Sequence, residues 1–130
     1  MSLSVPLTLQ EQAERGPVAD AEFVGCVRDS LPYAYGLVER LAGELTGSGR
    51  EFVDNVLPPP DEQARGQLLR ALASDAIRGA LERHFGVALA FQNCHRVAAF
   101  RPGAAGGRTF AEFTSPRAQL LNQRPELVNC

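Results

Sequence analysis

No lysine occurs among the 130 residues, so all 13 basic side chains are arginine. A chain without lysine has no side-chain amine for a Schiff base, which excludes lysine-aldolase and pyridoxal-type mechanisms run from its own residues. GC-rich coding explains the arginines together with the many alanines. A basic excess is also missing. Against 15 acidic residues the net charge is -2, whereas a surface that tracks phosphates needs a positive stripe, so general nucleic-acid binding is not expected. No apolar run approaches the roughly 20 residues of a transmembrane helix, and no membrane partner is expected. Tryptophan is absent, which leaves seven phenylalanines and two tyrosines for an aromatic core.

The three cysteines, Cys26, Cys94 and Cys130, are far apart and make no C-x-x-C pair. Nothing signals a metal site, and no cofactor is implied. The first residues, Met1 to Pro6, lack the charged and apolar regions of an export signal, so a cytoplasmic protein with reduced thiols is expected. The length suits a single domain over 1–130, because a chain of this size buries roughly two-thirds of its unfolded surface around one core.

What is present is mostly helical periodicity. Thr8 and Glu11 have the spacing of a capping box for a short first helix closed by Gly16-Pro17. From Asp20, Phe23, Val24, Val27 and Leu31 trace one helical face, and after Pro32 the pattern continues through Leu37, Val38, Leu41 and Leu45. Residues 50–57 are ambiguous between a helical turn and a short extended piece. Pro58-Pro59-Pro60 is a stiff spacer leading to Asp61, a helix N-cap. Between Glu62 and about Phe85, Leu68, Leu69, Leu72, Ala76, Ile77, Ala80 and Leu81 mark a long central helix, which Ser74-Asp75 is able to divide and Gly86 closes. The period then changes to two. Val87 to Gln92 and Arg96 to Phe100 read as strands, Arg108 to Phe113 as a third, and Ser115-Pro116 opens a short last helix to Gln123. The expected fold is α+β: helices in the first two-thirds, a small antiparallel sheet, then a short helix. With two or three main helices such a core is thin, which favours a homodimer.

Five residues stand out as candidates for ligand or substrate binding. Gln92, Asn93, His95 and Arg96 gather polar groups between two apolar strands, where they either form a plain connection or line a groove between sheet and helix. Arg65 falls among apolar positions in the first turn of a helix whose dipole disfavours a cation, so it calls for compensation by Asp61 or by an anion on a partner. His84 suits a helix C-terminus, and Asp75 with Arg78 makes an i, i+3 pair. His95 and Glu112 are the only candidates for acid-base work, each with a structural alternative. No triad, carboxylate pair or phosphate loop is present.

Tyr35 to Val38, the triple proline, Leu68 to Gly86 and Phe91 to Arg96 together resemble the small lysinoalanine-forming proteins of lanthipeptide biosynthesis. The resemblance implies a dimeric enzyme of antibiotic biosynthesis that positions a dehydrated peptide for an intramolecular cross-link, without a catalytic side chain of its own. The first expectation is therefore peptide tailoring by substrate positioning. The other is a non-enzymatic protein-interaction or regulatory module, with a peptide or a protein as partner in either case.

Overall fold

The computed structural model describes residues 2–93 and 95–122, so the expectations for Cys94, Cys130 and the tail beyond Asn122 lie outside it. The first helix, Leu7–Arg15 (α1), starts two residues earlier than the capping box requires. The Pro6 carbonyl accepts from Leu9 and Gln10, which places Thr8 inside the helix, and no residue of α1 is buried. Asp20–Ser30 (α2) and Pro32–Gly47 (α3) follow the predicted face, burying Val24 and Val27 and then Leu37, Val38, Leu41 and Leu45.

The ambiguous stretch resolves as a strand, Phe52–Asp54 (β1). Beyond the prolines, Asp61 accepts from the Ala64 amide at 2.8 Å and opens Glu62–Leu72 (α4). The central helix does divide. Ser74 turns its hydroxyl to the Ile77 amide and caps a separate helix, Asp75–Phe85 (α5), which Gly86 ends at φ 68°, ψ 38°. That left-handed backbone is the conformation glycine adopts without steric cost.

Ala88–Gln92 (β2) and Arg96–Phe100 (β3) form the expected antiparallel hairpin, joined through Asn93 at φ 48°. The third strand is not where the alternation put it. Residues Arg108–Phe113 form a helix (α6), and β1 pairs with β3 instead, giving the order β1-β3-β2 with Phe52 opposite Phe100. The physical reason is legible in hindsight: Phe110 and Phe113 are three apart, so one helix turn sets both rings against Phe100, at 5.0 and 5.8 Å. Ser115 caps the last described helix, Pro116–Leu121 (α7), as its Ser-Pro signal predicts.

The sheet is covered on both sides. Val53, Leu89, Val97 and Ala99 face α2, α3, α4 and α5 in one aliphatic cluster. Ala90, Ala98 and Phe100 face the other way, onto Phe113 with Phe52 and Phe110. Among the described residues α2 to α5 cover one face of the sheet and α6 with α7 flank the other, more cover than two or three main helices would give, so a thin core is no longer a reason to expect a dimer. None of them is long and apolar enough to cross a membrane.

Candidate functional site

Between the second face of the sheet and α6–α7 lies a groove of about 560 Å³. Phe52, Phe113, Ala118 and Leu121 supply its apolar surface, and Arg96, Arg108, Arg117 and Glu112 its charges. Strand alternation explains the floor: residues 52 and 54 of β1, 92 of β2 and 96 of β3 all point to this side.

Arg96 is the organising side chain. Its guanidinium donates from Nε and Nη2 to Asp54 Oδ2, at 2.9 and 2.5 Å, and from Nη1 toward Gln92 Oε1 and Asn122 Oδ1. It also lies over the Phe113 ring, 4.9 Å from the centroid, where the ring face attracts a cation. Gln92 is 2% exposed and donates to the Phe113 carbonyl, tying β2 to the end of α6. At the rim, Arg117 donates to Glu112 at 2.7 Å. Arg108 makes no hydrogen bond or ion pair through its side chain among the described residues. It stands in the first turn of α6, where a cation is disfavoured, so helix stability does not account for it.

The five candidate residues are therefore not brought to one place. Gln92 and Arg96 line the groove. Asn93 is in the β2–β3 turn and reaches α7, its Nδ2 donating to the Gln119 carbonyl at 3.4 Å. His95 is buried in the same turn, with Nδ1 3.1 Å from the Asn93 carbonyl. Arg65 belongs to the opposite layer, on α4, where Glu62 at 3.7 Å and not Asp61 compensates it, Asp61 being engaged as the cap. Its side chain keeps 21% of its exposure and lines neither the groove nor the shallow concavity along α4, which Gly66, Leu69, Arg70, Ala73 and Ser74 form.

Glu112, considered above as an acid or base, sits on a helix and not on a strand, and it is half-exposed in its ion pair. His84 packs edge-on against Phe85. Arg83, near the end of α5, holds Asp20 of α2 through two hydrogen bonds, of 2.6 and 3.0 Å. Those bonds hold the Asp20 carboxyl below the usual carboxylate range and raise Arg83. Burial pushes the Tyr33 hydroxyl up. This Asp20–Arg83 pair stands at the edge of a second, mostly apolar pocket of about 400 Å³ between α1, α2 and α5, which Cys26 also lines. Among the described residues no group of three potential metal ligands converges.

Sequence reasoning missed Asp54, Arg108, Arg117 and Asn122. Asp54 and Arg96 are 42 positions apart and only strand pairing joins them. Arg108 carried a weak signal, a cation opening a segment of alternating residues. Chemically the groove can hold and orient an anionic, partly apolar group.

Over residues 1–130 the chain matches the family model described as NucS shadow ORF. The chain belongs to that family. The NucS shadow ORF match overturns the resemblance to lanthipeptide lysinoalanine-forming proteins, and with it the antibiotic-biosynthesis setting. The longest segment behind the likeness, Leu68 to Gly86, is rich in Ala, Leu and Arg, a composition that coding bias can generate, and the other segments are only three to six residues long. No curated protein and no solved structure matches the chain.

Proposed function

We propose that this member of the NucS shadow ORF family is a non-enzymatic interaction module whose contact surface for a protein partner is the groove between the sheet and α6–α7. The observation that carries the reading is Arg108, a cation with no side-chain partner among the described residues, beside an aromatic floor whose other charged groups are already engaged with one another. Neither acid-base candidate supports catalysis in this groove, since Glu112 is committed to Arg117 and His95 is buried in the β2–β3 turn and does not line it.

The layout β1-α4-α5-β2-β3, with β3 central, resembles KH-type modules, and the family's name includes KH. KH modules clamp nucleic-acid backbone with a Gly-x-x-Gly loop. The corresponding link here is Ala73-Ser74, with the Ser74 hydroxyl used as a cap and Asp75 directly after it. Fold likeness alone does not carry activity, and a link of this chemistry favours a protein over a phosphate backbone. The test is a photo-crosslinking residue placed at Thr109, in the groove, and at Glu39, on α3, in native cells. A discrete adduct at Thr109 that is absent at Glu39 and lost on Arg108→Glu is expected. Equal labelling at the two positions would contradict the reading.

The family description favours a second reading, in which the frame has no product selected for itself. A frame in the shadow of NucS inherits codons from that gene, and the all-arginine basic set fits such inheritance. Targeted mass spectrometry for the arginine-bounded peptide 51–65 in native cells separates the two. Consistent absence of the peptide under conditions where NucS is made would favour this second reading.

A further inference from the structure

Resting on the interaction-module reading, we infer that the groove takes a short acidic peptide segment with a large apolar side chain among its carboxylates, and that Glu112 restrains its affinity. The charges argue for this class of occupant. Asp54 neutralises Arg96 and Glu112 neutralises Arg117, which leaves, among the described lining residues, the one positive charge of Arg108 in a protein whose net charge is -2. A groove so nearly neutral suits one or two carboxylates, not a backbone with a charge at every nucleotide.

The apolar half of the segment follows from the rest of the lining. Exposed Leu121 and half-buried Phe52 would stay wet beneath a purely acidic peptide, whereas an aromatic or long aliphatic side chain removes that surface from water; Phe113 and Ala118 are already buried. The volume of about 560 Å³ is within the roughly 300–1,000 Å³ typical of ligand sites. Because Arg96 is fixed by Asp54 and lies on Phe113, the floor is set before binding and little is lost in ordering it.

Glu112 gives the inference a signature that loss of structure cannot imitate. Its carboxylate occupies Arg117 and repels an incoming anion, so Glu112→Gln frees one arginine and removes one like charge. The full chain is titrated with a fluorescent peptide in which Asp and Glu flank a Phe, followed by amide chemical-shift mapping. Shifts at Thr109, Glu112 and Ala118 are expected, with affinity about tenfold lower in Arg108→Glu and several-fold higher in Glu112→Gln. Binding should weaken as salt rises past 0.1 M, where screening acts within about 10 Å. Equal binding of the Asn/Gln version of the peptide overturns the inference, as does unchanged affinity in Glu112→Gln. Tighter binding of a single-stranded RNA oligonucleotide with the same shifts also overturns it. If the Thr109 adduct forms in cells while the acidic peptide fails to bind, only the peptide's chemistry is wrong. If neither is seen, the module reading falls too.

Discussion

The two faces of the sheet are built from the same three strands and yet differ in kind. One has an aliphatic buried centre closed by four helices, with Val53, Leu89, Val97 and Ala99 joining Leu41, Leu68, Leu72 and Leu81, and half-buried rings such as Phe91 and Phe85 only at its margin. The other carries an aromatic cluster around Phe100 and, at its end, an arginine-carboxylate network that opens onto a groove. Period-two alternation sends each strand residue to one side or the other, so an apolar face and a polar one can be carried by one strand. The difference teaches where each property resides: the first face is given over to packing, while the second divides its surface between packing and the open groove for which we propose a binding role.

The sharpest way to break that contrast is to ask whether the second face is only an accessory. Phe100 has no exposed surface, stacks on Phe52 at 4.9 Å and meets Phe110 and Phe113 edge-on. Phe100→Ala should cost about 3–5 kcal/mol, comparable to the about 2–5 kcal/mol of Leu68→Ala across the sheet. Urea unfolding of both variants checks this. A loss under about 1 kcal/mol for Phe100→Ala would make α6–α7 a loosely attached flap and not part of the cooperative unit.

Next in size is the joint between the faces. Asn55 is buried, donates to the carbonyls of His95 and Leu57 at 2.7 and 3.1 Å, and accepts from the Val97 amide at 2.8 Å. It replaces ladder partners that β1 is too short to provide. Asn55→Ala orphans three backbone groups and should cost about 2–3 kcal/mol, with faster hydrogen exchange at Val97 as the local sign.

Asn55 also shows what a sequence does not disclose. Helix faces were legible because their signals are local: Leu68, Ile77 and Leu81 repeat at helical spacing, and Asp61, Ser74 and Gly86 occupy cap positions. Long-range satisfaction of backbone groups was not. Gln67 Oε1 accepts from the Tyr33 and Ala34 amides, capping α3 from α4, and Arg101 donates to the Leu45, Ser48 and Arg50 carbonyls at the far end of α3. Each residue reads as ordinary surface until the fold is known. The groove was half legible for the same reason: Gln92 and Arg96 stood out as polar groups between apolar strands, but their partners Asp54 and Asn122 arrive only through pairing and packing. Arg108–Phe113 misled because six residues satisfy period two and period three equally well, and β1 had already taken the strand position beside β3.

A smaller effect tests whether the Arg96 network stabilises the second face or mainly orients it. Arg96 and Asp54 side chains are 30% and 20% exposed, between the surface and buried regimes. Arg96→Met leaves Asp54 without its cation and should cost about 1–2 kcal/mol, whereas Arg96→Met with Asp54→Asn should recover part of that loss. The double-mutant cycle by thermal unfolding measures the coupling. Coupling near zero would mean that Arg96 contributes through its stacking on Phe113 and not through the ion pair.

The smallest expected effect belongs to the rim of the aliphatic side, where Asp20 pairs with Arg83 in solvent. Arg83 lowers the folded-state pKa of Asp20, so the folded protein holds that proton less tightly than the unfolded chain. The pair's contribution is therefore fully present above the usual carboxylate pKa of about 3.9 and is lost as pH falls through the lower folded value. Arg83 stays protonated in both states across that window, so its raised pKa adds no second pH dependence near neutrality. Unfolding midpoints measured from pH 6 down to pH 2 should fall slightly less steeply in Asp20→Asn than in the parent, with the two curves parallel above about pH 5. A divergence that instead opened toward neutral pH would place the relevant titration on another group, and the Asp20 clasp between α2 and α5 would then contribute only geometry.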